Sequence, residues 1–343
     1  MNRSNRQVTP FGDAETIDDL NRLNDQQKAI FAEMVAADPG LLEARPAAYL
    51  RRWREALNHI EPGSSVLDIG AGWPVARVWD AIFAQGIRYH VADIDAGQIA
   101  ACKAQLAARG QSADNAIQTP NTVLPFPSAS MDFVFSSHCL EHSTDLAMTF
   151  GEIRRVLKPK GGLFFSVPFG FDDSEEHLLF LGINEWLQVC EAAGFVVRGW
   201  TVGRTYSEGW DLSVLCEARS DIDLATISHI DRQFHKAGRR LLPHDDPSIV
   251  YEEPVRQPPF TISQSFQIRR PAAYLLMLRH RWSGVARLTD ARGTTRTIDL
   301  FERADHIGAI DVSGFAAPIR VEIVGRNPVA QADQAVVFGL LVS

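Results

Sequence analysis

The residues best placed to do chemistry are a glycine-spaced acidic turn, a second acid downstream and two histidines. Asp68, Gly70 and Gly72 stand in the run Val66-Leu-Asp-Ile-Gly-Ala-Gly72. Paired glycines let the main chain turn sharply and let a ligand approach it closely. With a strand before them and a helix behind, free N–H groups and the positive helix end suit an anionic, nucleotide-type ligand. Asp93 follows about twenty residues beyond the glycines, at a strand end where a carboxylate accepts hydrogen bonds from ribose hydroxyls. His142 and His177 are candidate general bases, because imidazole titrates near neutral pH.

The elements that must position these residues are legible from periodicity. Apolar strands are expected near 65–69, 89–93, 115–118, 132–136, 163–167, 195–203 and 211–218. Helices separate most of them; the one behind the glycines, from Pro74 to about Gln85, carries Val75, Val78, Trp79, Ile82 and Phe83 on one face. Strand–helix alternation predicts a mostly parallel sheet with helices on both faces. The last two strands have only a turn around Ser207-Glu-Gly209 between them, so an antiparallel hairpin is expected to close the sheet. His142 then falls at the carboxyl edge after the fourth strand, where ligands bind in such sheets. The loop Phe169–His177, with four acids and a histidine, follows the fifth. Such a loop can bind a divalent ion, supply a base or simply be solvated.

Four stretches in order resemble the class I, Rossmann-like S-adenosylmethionine-dependent methyltransferases of the type 11 group. They are the glycine turn, the strand ending at Asp93, Leu124-Pro-Phe126 running on to Leu140-Glu-His142, and Val156-Leu-Lys-Pro159. The resemblance covers roughly residues 60–218 and implies S-adenosyl-L-methionine as cofactor. It implies that Asp68, Gly70, Ala71 and Gly72 form the cofactor loop, with Asp68 orienting the amino-acid end, and that Asp93 holds the ribose with Ile94 beside it among the cofactor-binding residues. Asn121 is implied near the adenine, with Ser137 and His138 at the end of the fourth strand. Pro74 stands where the family often has a third glycine, and proline is comfortable at a helix start. His142 and His177 are the catalytic candidates, each weighed against a purely structural role. His138-Cys-Leu-Glu-His142 also spells a zinc-protease pattern, but that pattern needs a helix presenting both histidines, so no metal site is expected.

Composition narrows the classes. A net charge of −8 over 343 residues argues against a chain that coats nucleic acid. Cys102, Cys139, Cys190 and Cys216 have no metal-finger spacing and read as reduced thiols of a cytoplasmic protein. The N-terminal stretch has no apolar signal core, and no apolar run is long enough for a transmembrane segment.

Four regions are expected. Residues 1–59 form an N-terminal helical cap, a lid or an edge cover. Residues 60–218 form the α/β methyltransferase domain. Residues 219–259 form a helix and a proline-rich linker. Residues 260–343 form a small all-β sandwich, arginine-bearing and without lysine. Carbohydrate recognition through aromatics such as Trp282 and Tyr274, or a homodimer interface, is open for that last region. The expected activity is methyl transfer to a sugar hydroxyl in glycan or surface-polysaccharide biosynthesis. The alternatives are a small metabolite, quinone or lipid acceptor, and a non-catalytic scaffold acting through the sandwich.

Overall fold

The computed structural model describes residues 17–172, 174, 177–204, 210–220, 236 and 239–343. It divides into two units: residues 1–168, 174–179 and 183–235, and residues 169–173, 180–182 and 236–343.

The first unit begins with α1 (Ile17–Ala37) and α2 (Leu41–Leu57). Pro39-Gly40 separates the two helices, and α2 runs through Pro46. Proline fixes φ in the helical range, and so close to the helix start it removes one hydrogen bond without ending the helix. The α/β layer follows as β1 (Ser65–Ile69), α3 (Ala76–Phe83), β2 (Arg88–Asp93), α4 (Ala96–Ala108), β3 (Ala116–Gln118), β4 (Met131–Ser137), α5 (Leu146–Val156), β5 (Leu157–Pro168), α6 (Ile183–Ala192), β6 (Phe195–Arg204) and β7 (Trp210–Ala218). The sheet order is β3-β2-β1-β4-β5-β7-β6. The pairs from β3 to β5 are parallel; β7 is antiparallel to both β5 and β6. The closing hairpin is therefore present, while its turn at 207–209 lies outside the described residues.

All five residues of β1 are buried, as a central parallel strand covered on both faces requires. One core of this unit is aromatic. Trp53 of α2, fully buried, stacks on Phe135 of β4 at 4.0 Å between ring centroids. Tyr89 of β2 meets Trp79 of α3 edge-on at 5.0 Å. The second cap helix is thus part of the core, not a loose flap on it.

The second unit holds two antiparallel sheets. One is built from β10 (Val255–Gln257), β11 (Phe260–Ile262), β18 (Val336–Val342), β13 (Tyr274–Arg279) and β16 (His306–Asp311), with β8 (Arg240–Pro243) also paired to β18. The other runs β15 (Thr295–Asp299), β14 (Gly284–Thr289), β17 (Ile319–Arg326), β12 (Ser265–Ile268) and β9 (Ile249–Glu252). Leu275, Met277, Val337 and Leu340 of the first sheet share a buried cluster with Phe266, Ala286, Leu288 and Val321 of the second.

The sandwich begins earlier than the sequence suggests. The expected linker reaches residue 259, yet β8, β9 and β10 lie before that point and pair within the sheets. Prolines read as linker sit at strand ends and turns. Most of the expected helix from Ile222 lies outside the described residues, and its last residues, Arg240–Leu242, are strand. Among the described residues no helix is long and apolar enough to cross a membrane.

Candidate active site

The glycine turn follows β1. Gly70 and Gly72 adopt φ of +73° and +62°, a region that side-chain-bearing residues rarely occupy. The two are needed for different reasons. A Cβ on Gly70 would stand 2.5 Å from Cys139 Cβ, whereas on Gly72 it would meet only Gln98 Oε1, at 3.5 Å. Gly70 lets two loops pack; Gly72 leaves a face open. Ala71 between them is buried.

Asp68 is fully buried on β1. Its Oδ2 accepts from the hydroxyls of Tyr49 at 2.6 Å and Tyr89 at 2.5 Å. Its Oδ1 has no hydrogen-bond partner among the described residues. Burial raises this carboxyl to about 7, with the two tyrosine hydrogen bonds opposing the rise. Burial and the Asp68 charge in turn push both tyrosine hydroxyls well above their ordinary range. Asp93 fastens the turn from β2: one oxygen accepts from Gly72 N–H and the other from Asp95 N–H, both at 2.9 Å. Burial holds its carboxyl above the ordinary range. Asp95 caps α4 by accepting from Gln98 N–H at 2.8 Å, and it also accepts from Asn24 at 2.9 Å and from Lys28 of α1. The half-buried Ile94 lies between the two acids.

The cap helices reach this same carboxyl edge. Besides Tyr49, the buried Arg52 of α2 donates to Ser137 Oγ at 3.2 Å and forms a buried ion pair with Asp211 of β7. His138 has φ of +53°, and its Nε2 lies 3.0 Å from Arg52 and 3.0 Å from Asp211. Ser137 and His138 are thus engaged by protein groups through their side chains. Asn121 donates to the Cys139 carbonyl at 3.4 Å and accepts from Thr149 Oγ1 at 3.2 Å.

His142 and His177, thirty-five positions apart in sequence, are brought together with ring centroids 5.1 Å apart. Two hydrogen bonds do this. Leu178 and Leu179 N–H both donate to the Glu141 carbonyl, at 3.0 and 3.2 Å. The Glu141 side chain is buried beneath the pair, with Oε1 3.8 Å from His142 Nε2. Of the acids before His177, Asp173, Glu175 and Glu176 lie outside the described residues.

Tyr49, Arg52, Glu141 and Asp211 do not appear among the residues expected from sequence. Glu141 stands inside a quoted motif, and its position beside His142 is the signal that finds it. Tyr49 and Arg52 lie on a helix of ordinary composition and leave no local signal.

Residues 67–165 match a family model described as a methyltransferase domain. The chain is 27% identical over 123 residues to a glycine/sarcosine/dimethylglycine N-methyltransferase of Actinopolyspora halophila, covering 35% of this chain and 21% of that protein. It is 30% identical over 106 residues to a malonyl-(acyl-carrier protein) O-methyltransferase of Serratia marcescens, covering 31% of this chain and 38% of that protein. The chain therefore spans well under two thirds of the curated relatives it matches. A solved putative sarcosine dimethylglycine methyltransferase from Galdieria sulphuraria aligns at 18% identity with a TM-score of 0.43, over 51% of this chain and 84% of that one. The matched segment contains the glycine turn, Asp93 and His142; the chain carries a class I, S-adenosylmethionine-dependent methyltransferase domain of the type 11 group.

Proposed function

We propose that the chain is an O-methyltransferase acting on a sugar hydroxyl in glycan or surface-polysaccharide assembly. The observation that carries the hydroxyl reading is the pairing of His142 and His177 at the carboxyl edge of the sheet. A hydroxyl nucleophile must shed a proton, and an imidazole is suited to take it at neutral pH.

The residues at the glycine turn fit S-adenosylmethionine. Asp68 keeps one buried carboxylate oxygen unpartnered, which suits a cationic amino group. Gly72 leaves room for close approach to the backbone. Asp93 uses one lone pair of each oxygen on the turn and keeps others for ribose hydroxyls. When bound, this cofactor supplies a methyl group already made electrophilic by its sulfonium. The protein's share is to hold the acceptor in line, exclude water and accept the proton, and positioning alone supplies several kcal/mol. The helices α1 and α2 suit exclusion of water, since Lys28, Tyr49 and Arg52 bond to Asp95, Asp68 and Ser137, residues proposed to hold or border the cofactor.

The sugar assignment draws on the second unit. Trp282 is 40% exposed, with Arg281 5.5 Å from its ring centroid, which suits stacking on a sugar face. Tyr274 is corrected from such a role: it is 2% exposed and packs on Phe180. A small-molecule acceptor is the second reading, favoured by the named activities of relatives that methylate glycine and its derivatives or phosphoethanolamine.

The test is release of S-adenosylhomocysteine by the full chain offered glycosides, small hydroxylated metabolites, quinones and amines. Turnover with glycosides supports the reading. Turnover confined to amines overturns the hydroxyl assignment, and cofactor binding without turnover on any class favours the scaffold.

A further inference from the structure

We infer that Glu141, His142 and His177 form a binding site for one divalent transition-metal ion of the zinc class. Each side chain offers one ligand atom, and the three atoms lie within 4.8 Å of one another. Metal–ligand distances of about 2.0–2.2 Å imply separations near ~3.4 Å in a tetrahedral site, so closing on an ion needs side-chain movements of only about 1 Å.

Glu141 supplies the second observation. It is 2% exposed, and neither carboxylate oxygen has a hydrogen-bond partner among the described residues. The neighbouring imidazole nitrogens, His138 Nδ1 at 3.7 Å and His142 Nε2 at 3.8 Å, stand outside hydrogen-bond distance. A buried carboxylate in that state carries a desolvation cost that a coordinated cation removes. The backbone supplies the third. The paired N–H groups of Leu178 and Leu179 on the Glu141 carbonyl hold His177 beside a residue thirty-six positions earlier. The site is therefore held by main-chain bonds before any ion arrives.

The donor set selects the ion class. Two imidazoles and one carboxylate suit zinc, iron, manganese or nickel, whereas magnesium and calcium favour all-oxygen shells. Three protein ligands leave a position open, as in catalytic rather than structural sites. The set is not the His-x-x-Glu-His pattern of the sequence: His138 is held at the Arg52–Asp211 pair, and His177 takes the place that pattern would give it. Ion binding is independent of the acceptor. With an ion bound, both imidazoles would act as ligands rather than as bases, and the ion would ease loss of the acceptor's proton by lowering the pKa of a bound hydroxyl; that use rests on the hydroxyl reading above.

Cobalt(II) is the probe, added to the full chain after dialysis against chelator. One equivalent should bind and give visible absorption bands. Glu141→Gln and His177→Ala should each weaken binding by at least the ~10–100-fold typical of losing an outer-shell partner. Calorimetric affinity for S-adenosylhomocysteine should hold in both, showing that they fold. His138→Asn should leave cobalt binding unchanged. No cobalt bound by the folded wild type, or undiminished binding in Glu141→Gln and His177→Ala, overturns the site. Loss in His138→Asn with retention in His177→Ala overturns the ligand set. Cobalt binding with no hydroxyl turnover leaves the site standing and removes the proposed function; turnover by a protein that binds no ion does the reverse.

Discussion

Two buried carboxylates, one in each unit, have opposite circumstances. Asp290 follows β14, and its oxygens accept from Arg292 N–H, Thr294 N–H and Ala316 N–H at 2.8–3.0 Å and from the Arg292 side chain at 3.0 Å. These donors hold its carboxyl well below the ordinary range. Asp68 has two tyrosine hydroxyls on one oxygen and nothing on the other, and burial lifts it to about 7. Asp290 is saturated by its own turn and ties a hairpin together. Asp68 is left short of partners in a dry place, and its ionised form is disfavoured there until a ligand supplies the missing donor. Of these two acids, the one in the sandwich is committed to its turn and the one in the α/β unit keeps an oxygen open.

The bluntest way to break the comparison is to remove one unit. Phe169 and Phe180 belong by packing to the β unit, against His306 and Tyr274, although they fall within the α/β stretch of the sequence. A fragment ending near residue 239 should expose both rings, melt lower than the full chain and aggregate on size-exclusion chromatography. A stable monomeric fragment that binds S-adenosylhomocysteine would show that the α/β unit does not need these contacts.

Next in size are the two candidate bases of the α/β unit. His142→Gln and His177→Gln keep a hydrogen-bonding side chain but cannot accept the proton at neutral pH. At least one should lower turnover by roughly two to four orders of magnitude, with cofactor affinity nearly unchanged. Normal turnover in both would remove the pair from catalysis.

Asp68→Asn and Asp290→Asn should move stability and binding in opposite senses. A folded carboxyl at about 7 binds its proton more tightly than the unfolded chain does. The stability Asp68 contributes is therefore full below about pH 4 and lost as pH rises toward 7. Asp68→Asn should remove that slope, raising the melting temperature at pH 8 relative to pH 4.5. It should also weaken cofactor binding by about 10–100-fold, the scale of one hydrogen bond to a charged group. Asp290 is depressed, so its contribution is present above about pH 4 and lost below it. Asp290→Asn should lower the melting temperature at pH 7 and leave cofactor affinity alone. Parallel behaviour of the two variants would erase the distinction.

Much of this was legible in the sequence where local chemistry carries the information. The parallel strands, the glycine turn and Asp93 sit within a few residues of the sequence expectation, because continuous apolar runs and paired glycines have few other solutions. The all-β class of residues 260–343 was legible too, from short runs separated by turn residues. What was hidden depends on pairing across distance. Strands β8 to β10 are short and proline-flanked, and only their partners β18, β12 and β11 make them strands. The meeting of His142 with His177 rests on two main-chain hydrogen bonds to Glu141, and side-chain patterns do not encode those.

The smallest expected effect tests how Asp68 is held. Tyr49 and Tyr89 donate to the same oxygen, yet they stand in different elements: Tyr89 in the sheet, Tyr49 in the cap helix α2. Tyr89 is fixed by its rings' contacts with Trp53 and Trp79, so its removal disturbs the core. Tyr49→Phe deletes only a hydroxyl. The Asp68 carboxylate then loses one of the two hydrogen bonds that oppose its upward shift, and the carboxyl should rise further above 7. The pH at which cofactor affinity reaches half its plateau should rise with it, since the ionised carboxylate is the form that receives a cationic amino group. Affinity at pH 9 should change by less than about tenfold, one ordinary hydrogen bond. Titrations by calorimetry from pH 6 to 9 separate the two cases. An unmoved midpoint with uniformly weaker binding would mean that Tyr49 shapes the pocket and does not set the charge of Asp68; an upward shift makes the cap helix a determinant of cofactor binding through a single hydroxyl.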